Sequence, residues 1–255
     1  INGEGIEPTK YPMMIAAGSS IILGIYSFFL PKTPPKDLGH KVTVKDILGL
    51  DALKLPKDRS YAIFIISSFL ICIPLAFYYN FTNLFLNEEG IANAAGKMTL
   101  GQGSEVFFLL VMPFFFSRLG VKNMLLVGML AWAGRYLLFA FGNPTDLVWM
   151  YYLGILFHGI CYDFFFVTGQ LYVDKKAPLE IRASAQGFIA LVTYGLGLLV
   201  GAWVAGPVVK YFQTMEGAAI VGHNWQMIWV IPAAMAAVVI VVFVLLFKEN
   251  NAADV

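Results

Sequence analysis

Hydrophobic and polar positions fall in long blocks along this chain. Seven stretches hold about 20 mostly apolar residues each, the length a helix needs to cross the hydrocarbon core of a bilayer. They run Tyr11–Leu30, Tyr61–Leu86, Thr99–Ser117, Val121–Phe141, Val148–Tyr172, Ser184–Phe212 and Trp225–Phe247. Each is predicted to be helical, because backbone polar groups in lipid find partners only within a helix or a closed barrel. The pattern predicts an all-α membrane protein with seven transmembrane helices. Between the first and second blocks lies a polar stretch, Pro31–Ser60. Within it Thr43–Leu55 carries apolar residues at Val44, Ile47, Leu48 and Leu55, which predicts a short interfacial helix. The later connections are short, so consecutive helices are expected to be antiparallel neighbours.

Composition agrees: 59% of the residues are hydrophobic and only 13% charged, against about a quarter charged in soluble domains. Basic residues orient the blocks. Pro31–Ser60 holds seven of them, and Arg118, Lys122, Lys175, Lys176, Arg182 and Lys248 bring that side to thirteen. Lys10, Lys97 and Lys210 are the three opposite. By the positive-inside rule the first side, with the C-terminus, is cytosolic, and Glu88–Met98 and Gln213–Asn224 face outward. A net charge of +1 points away from a nucleic-acid partner. Cys72 and Cys161 lie within spans and read as small core residues. HExxH, Walker A, Gly-x-Ser-x-Gly and zinc-spaced Cys/His patterns are missing, so no enzyme, metal or cofactor is expected. The first residue is not methionine, and one span, a long charged loop and six tightly linked spans read as the end of one half and the whole of another. The expectation is a partial chain.

Small residues recur in the sixth span at Gly197, Gly201 and Ala205, a spacing that lets helix backbones approach closely. Pro113 and Pro232 sit inside spans and are expected to bend them. Pro74 precedes the polar-aromatic run Phe77-Tyr78-Tyr79-Asn80.

Four groups able to carry charge, Glu105, Arg135, His158 and Asp163, lie inside the apolar blocks. A charge at membrane depth costs at least ~3 kcal/mol, so such groups face a cavity or a partner. Counting along each helix from the cytosolic end, Glu105 is about 18 Å deep, Arg135 and His158 about 21 Å, and Asp163 about 14 Å. Arg135 is the expected charge partner of Glu105, their helices being consecutive and antiparallel. A plainer role for the pair is to tie those helices together. Gln102 precedes Glu105 on the same helical face, and an amide beside a carboxylate suits a hydroxylated ligand. His158 and Tyr162 share a face, with Asp163 about 100° further round. Asp163 has no basic residue on its own span except His158, which makes it the preferred proton carrier, with Glu105 the other carboxyl available.

Leu48-Gly49-Leu50-Asp51-Ala52, Gln102 with Glu105, Ala131-Trp132 through Arg135, Asp163-Phe164-Phe165 and Ile181-Arg182-Ala183-Ser184-Ala185-Gln186-Gly187 resemble runs in bacterial nucleoside:proton symporters of the major facilitator superfamily. The likeness extends from about Tyr11 to Lys248. It implies a twelve-helix carrier in the bacterial inner membrane, with two halves rocking about a central site. Residues 1–30 would then be the last span of the N-terminal half, 31–60 the central cytosolic loop, and 61–255 the C-terminal six-helix bundle. The partners implied are nucleoside, protons, the bilayer and the N-terminal half. The site carried over comprises Gln102, Glu105, His158, Tyr162 and Asp163, with Tyr79 and Asn80 where the family has an amide pair. His158 departs from the aromatic residue usual in the family.

The residues by themselves say less: a polar, hydroxylated solute with a flat ring would suit these tyrosines and carboxylates. A sugar carrier would use similar groups. A seven-span receptor would share the termini but not the long charged segment after its first span. A membrane-embedded enzyme would have only His158 with Asp163 to work with.

Overall fold

The computed structural model describes residues 9–33, 43–44 and 58–248. Their order is α1 (Tyr11–Ser27), α2 (Arg59–Glu88), α3 (Ala94–Phe141), α4 (Val148–Lys176), α5 (Arg182–Tyr211), β1 (Gln213–Glu216), β2 (Ala219–His223) and α6 (Trp225–Leu246). Helices α2 to α6 are long and apolar enough to cross a membrane. At 48 residues α3 is about twice what one crossing needs. Gly120 breaks it at φ +69° and ψ 179°, a backbone region open to glycine alone. The arms 94–119 and 121–141 are thus separate helical segments.

The ends of the helices meet in two polar clusters. Asp58 caps α2 by accepting the Ser60 amide (2.8 Å) and pairs with Lys176 at the end of α4 (3.4 Å). Nearby, Ser60 Oγ donates to the Lys248 carbonyl just beyond α6 (2.6 Å). At the far end of α2, Glu88 accepts from Trp225 Nε1 (2.9 Å) and meets His223 Nδ1 (2.9 Å). Beside it the Tyr151 hydroxyl donates to Glu89 (2.8 Å). Helix α2 therefore starts where α4 and α6 finish and finishes where they start, so it runs antiparallel to both.

Aromatic side chains fill the space between. Tyr136 stacks on Trp229 (5.9 Å), and Phe85 meets Trp229 and Tyr151 edge-on (5.4 and 4.9 Å). The Tyr136 hydroxyl donates to the Pro74 carbonyl (2.9 Å). Along α5 the small residues do the packing expected of them. A Cβ on Gly201 would stand 2.6 Å from the Ala76 Cβ and 2.9 Å from the Ile73 carbonyl oxygen, so only glycine lets α5 lie this close to α2. Gly197 abuts Cys72 in the same way, and Ala205 is fully buried. Both cysteines are buried and free.

Several features depart from the hydropathy reading. Helices run past their apolar stretches, α4 continuing beyond Tyr172 to Lys176, because helical hydrogen bonding does not stop where the side chains become polar. Helix α1 ends at Ser27 rather than Leu30, and none of its residues is buried. Two stretches adopt π-helical winding, Tyr162–Val167 inside α4 and Leu191–Gly197 inside α5. Gln213–Asn224, read only as a loop, contains the antiparallel hairpin β1–β2, turning at Gly217 with φ +63°. Pro74, Pro113 and Pro232 lie inside helices, as read from the sequence. The stretch Pro31–Ser60 apart from 31–33, 43–44 and 58–60 lies outside the described residues. So do most of the Thr43–Leu55 interfacial helix, the run Leu48–Ala52 and the chain beyond Lys248.

Candidate functional site

The arm 94–119 and α4 meet face to face at their smallest residues. A Cβ on Gly101 would lie 3.1 Å from the His158 Cβ, and one on Gly159 would lie 2.6 Å from Ser104 Oγ. Ser104 Oγ also donates across the interface to the Leu156 carbonyl (2.5 Å). Glu105 follows Ser104 and His158 precedes Gly159, so the tightest point between the two helices sets this pair. His158 Nε2 stands 3.6 Å from Glu105 Oε2. The histidine is buried, while the glutamate side chain is 31% exposed.

Aromatic rings pack around the histidine. Tyr78 stacks on it at 5.5 Å with 21° between planes, and Tyr162 at 6.0 Å with 29°. Tyr79 meets Tyr78 edge-on at 5.7 Å and is 46% exposed. Tyr162 accepts a hydrogen bond from the Tyr194 hydroxyl (3.1 Å), and Tyr194 also stacks on Phe166 (5.1 Å). These contacts join the two π-helical segments. Such segments carry one extra residue per turn and recur at functional sites.

Arg135 does not pair with Glu105. Its guanidinium lies 4.1 Å from the Tyr78 ring centroid, the residue is fully buried, and none of its three side-chain nitrogens finds a hydrogen-bond partner among the described residues. Counting residues along each helix gives a level but carries no information on azimuth. The close approach at Gly101 and Gly159 turns Glu105 toward His158 instead. Asp163 is 1% exposed at the start of the π-helical segment, and neither carboxylate oxygen has a hydrogen-bond partner among the described residues. Gln102 is exposed on the same helix as Glu105. Asn80 is exposed, but its amide donates back to the Ala76 carbonyl of its own helix (2.7 Å).

The structure therefore gathers Glu105, His158, Tyr162, Tyr78 and Tyr79, adds Arg135 behind Tyr78, and keeps Asp163 buried at the neighbouring turn. Sequence reasoning missed Tyr194. Its signal was an aromatic hydroxyl next to Gly195, in a stretch read for backbone packing alone.

The sequence matches the family described as "Nucleoside H+ symporter" over residues 2–252. The candidate nucleoside transporter YegT of Escherichia coli (strain K12) is 46% identical over 249 residues, which are 96% of this chain and 58% of that protein. The nucleoside permease NupG of the same strain is 34% identical over 259 residues, 97% of this chain and 61% of NupG. A crystal structure of the nucleoside transporter NupG, solved as an aspartate-to-alanine mutant, superposes with a TM-score of 0.82 at 33% identity. That superposition covers 96% of this chain and 62% of the other. The chain spans about 60% of the length of these relatives.

Proposed function

The chain belongs to the nucleoside H+ symporter family, and on that footing we propose that it forms one wall of a carrier that takes up nucleosides together with protons by alternating access. The observation that carries this is the partly exposed Glu105 carboxylate beside the Tyr78–His158–Tyr162 stack. A nucleoside offers a flat base, for which Tyr79 and Tyr162 provide ring faces, and ribose hydroxyls, for which Glu105 and Gln102 provide acceptors. Asn80 extends this surface along α2. Asp163, buried and with both oxygens unpartnered among the described residues, is the group we assign to carry the proton.

In this reading α1, α2, the two arms of α3, α4, α5 and α6 are seven crossings. Residues 1–30 close an N-terminal half, 31–60 link the halves in the cytosol, and 61–255 form the C-terminal bundle. The Asp58 end of α2 is cytosolic, as is the C-terminus, and the Glu88 end with the hairpin faces outward, in the bacterial inner membrane. The partner is the remaining half of the transporter, which supplies the opposite wall. Cysteine labelling at Lys45 and Gly217 on intact cells tests the orientation: an impermeant reagent reaches 217 and misses 45.

Uptake of radiolabelled nucleoside into liposomes tests the division of labour. This chain by itself is expected to give none, and co-expression with the N-terminal half restores it. Excess unlabelled nucleosides compete and sugars do not. Competition by sugars alone, or uptake by this chain unaided, would overturn the reading.

A further inference from the structure

We propose that His158 is a positioning residue. It holds the Glu105 carboxylate in place for the transported solute and does not itself meet that solute. The proposal rests on the reading of Glu105 as a solute acceptor. Its ground is an asymmetry within one pair of side chains: the histidine side chain is 6% exposed and the glutamate 31%, yet His158 Nε2 lies 3.6 Å from Glu105 Oε2. A ligand can reach the exposed part of Glu105, while burial keeps it from the imidazole.

The imidazole is also held more firmly than a ligand contact requires. Tyr78 and Tyr162 both stack on it, and its Cβ sits against Gly101 at the closest approach of the two helices. Glu105 has three rotatable bonds and, among the described residues, no other side chain within ion-pair distance. Fixing one such side chain before binding is worth about three- to tenfold in affinity. At 3.6 Å the contact is longer than a hydrogen bond, and it has room to tighten when a hydroxyl draws the other carboxylate oxygen into line.

Transport kinetics of the full-length carrier test this through a double-mutant cycle. His158→Phe, which keeps a ring between the two tyrosines, is expected to raise KM about three- to tenfold with little change in maximal rate. His158→Gln, whose amide nitrogen reaches the place of Nε2, should recover most of that loss. With Glu105→Gln already present, His158→Phe should add nothing further. Additive losses in the double variant would overturn the proposal, because a residue that acts only through Glu105 has nothing further to lose once that carboxylate is gone. Equal damage from Gln and Phe would overturn it as well. The cycle is read on whichever solute the wild type carries, so a wrong substrate class and a wrong role for His158 give different results. Size-exclusion profiles of each variant identify any that fails to fold.

Discussion

Arg135 and Tyr78 form a buried cation–ring pair, the guanidinium carbon 4.1 Å from the ring centroid, on the side of the molecule that carries the candidate site. Tyr78 also stacks on His158, so the charge of Arg135 lies one ring away from the Glu105–His158 contact. The cation–ring attraction is worth about 2 kcal/mol when desolvated. The cost of burying an ion without hydrogen bonds is several kcal/mol. Arg135→Met is therefore expected to leave thermal stability unchanged or raise it by up to about 4 kcal/mol, while nucleoside uptake falls. Melting curves in detergent beside uptake rates separate the two effects. A large drop in melting temperature would instead make Arg135 a structural tie between helices.

The two carboxyls should respond differently to neutralisation. In the full-length protein Asp163→Asn is expected to abolish proton-driven accumulation yet leave exchange of solute across the membrane. Glu105→Gln should weaken binding itself, by about tenfold or more for a lost charged hydrogen bond. Counterflow and net-uptake assays distinguish these outcomes. If Asp163→Asn still concentrates solute with normal pH dependence, the proton travels elsewhere.

Gly201 and Gly206 share a helix and should tolerate a side chain very differently. A Cβ at 201 runs into Ala76 and the Ile73 backbone, whereas nothing lies within 4 Å of one at 206. Gly201→Val is expected to force α5 from α2 and destabilise the bundle by about 1–3 kcal/mol. Gly206→Ala should be neutral or stabilising by up to about 1 kcal/mol. Thermal unfolding of the two variants side by side checks both signs.

Asp58 gives the stability a pH dependence outside the spans. Partial burial works to raise its carboxyl pKa, but the amides of Ser60 and Tyr61 and the charge of Lys176 outweigh that and leave it below the ordinary 3.8. A lowered native pKa means stability fully present above the ordinary value and lost as pH falls from there through the native one. Asp58→Ala should cost about 1 kcal/mol at neutral pH as a lost helix cap. Asp58→Asn should keep most of the cap while the acid dependence disappears. Unfolding followed from pH 7 downward reads both.

The five long apolar helices were legible because a bilayer demands about 20 apolar residues in a row, a signal that needs no tertiary information. The sequence placed the candidate site residues only by level. Glu105, Arg135 and His158 fall near one depth by counting residues, and the structure sets Arg135 and His158 against Tyr78 and Glu105 against His158. What could not be read was the rotation of each helix, which decides that Glu105 meets His158 and not Arg135. That rotation is fixed by contacts between distant positions, Gly101 with His158 and Ser104 with Gly159. The π-helical winding at Tyr162 and Leu191 was equally hidden, since one extra residue in a turn leaves the hydropathy profile unchanged. The hairpin was not hidden. Ile220-Val221 beyond Glu216-Gly217 is a strand-and-turn pattern that a search confined to spans passes over.

The coupling of nucleoside movement to protons is the central claim, and one measurement reaches it directly. Proteoliposomes holding the full-length carrier are loaded at neutral pH, diluted into acidic buffer, and followed for accumulation of radiolabelled nucleoside. The account predicts uptake against the nucleoside gradient that collapses on adding a protonophore and is absent when the two sides share one pH. Uptake that only equilibrates, and proceeds at the same rate with or without the proton gradient, would contradict it.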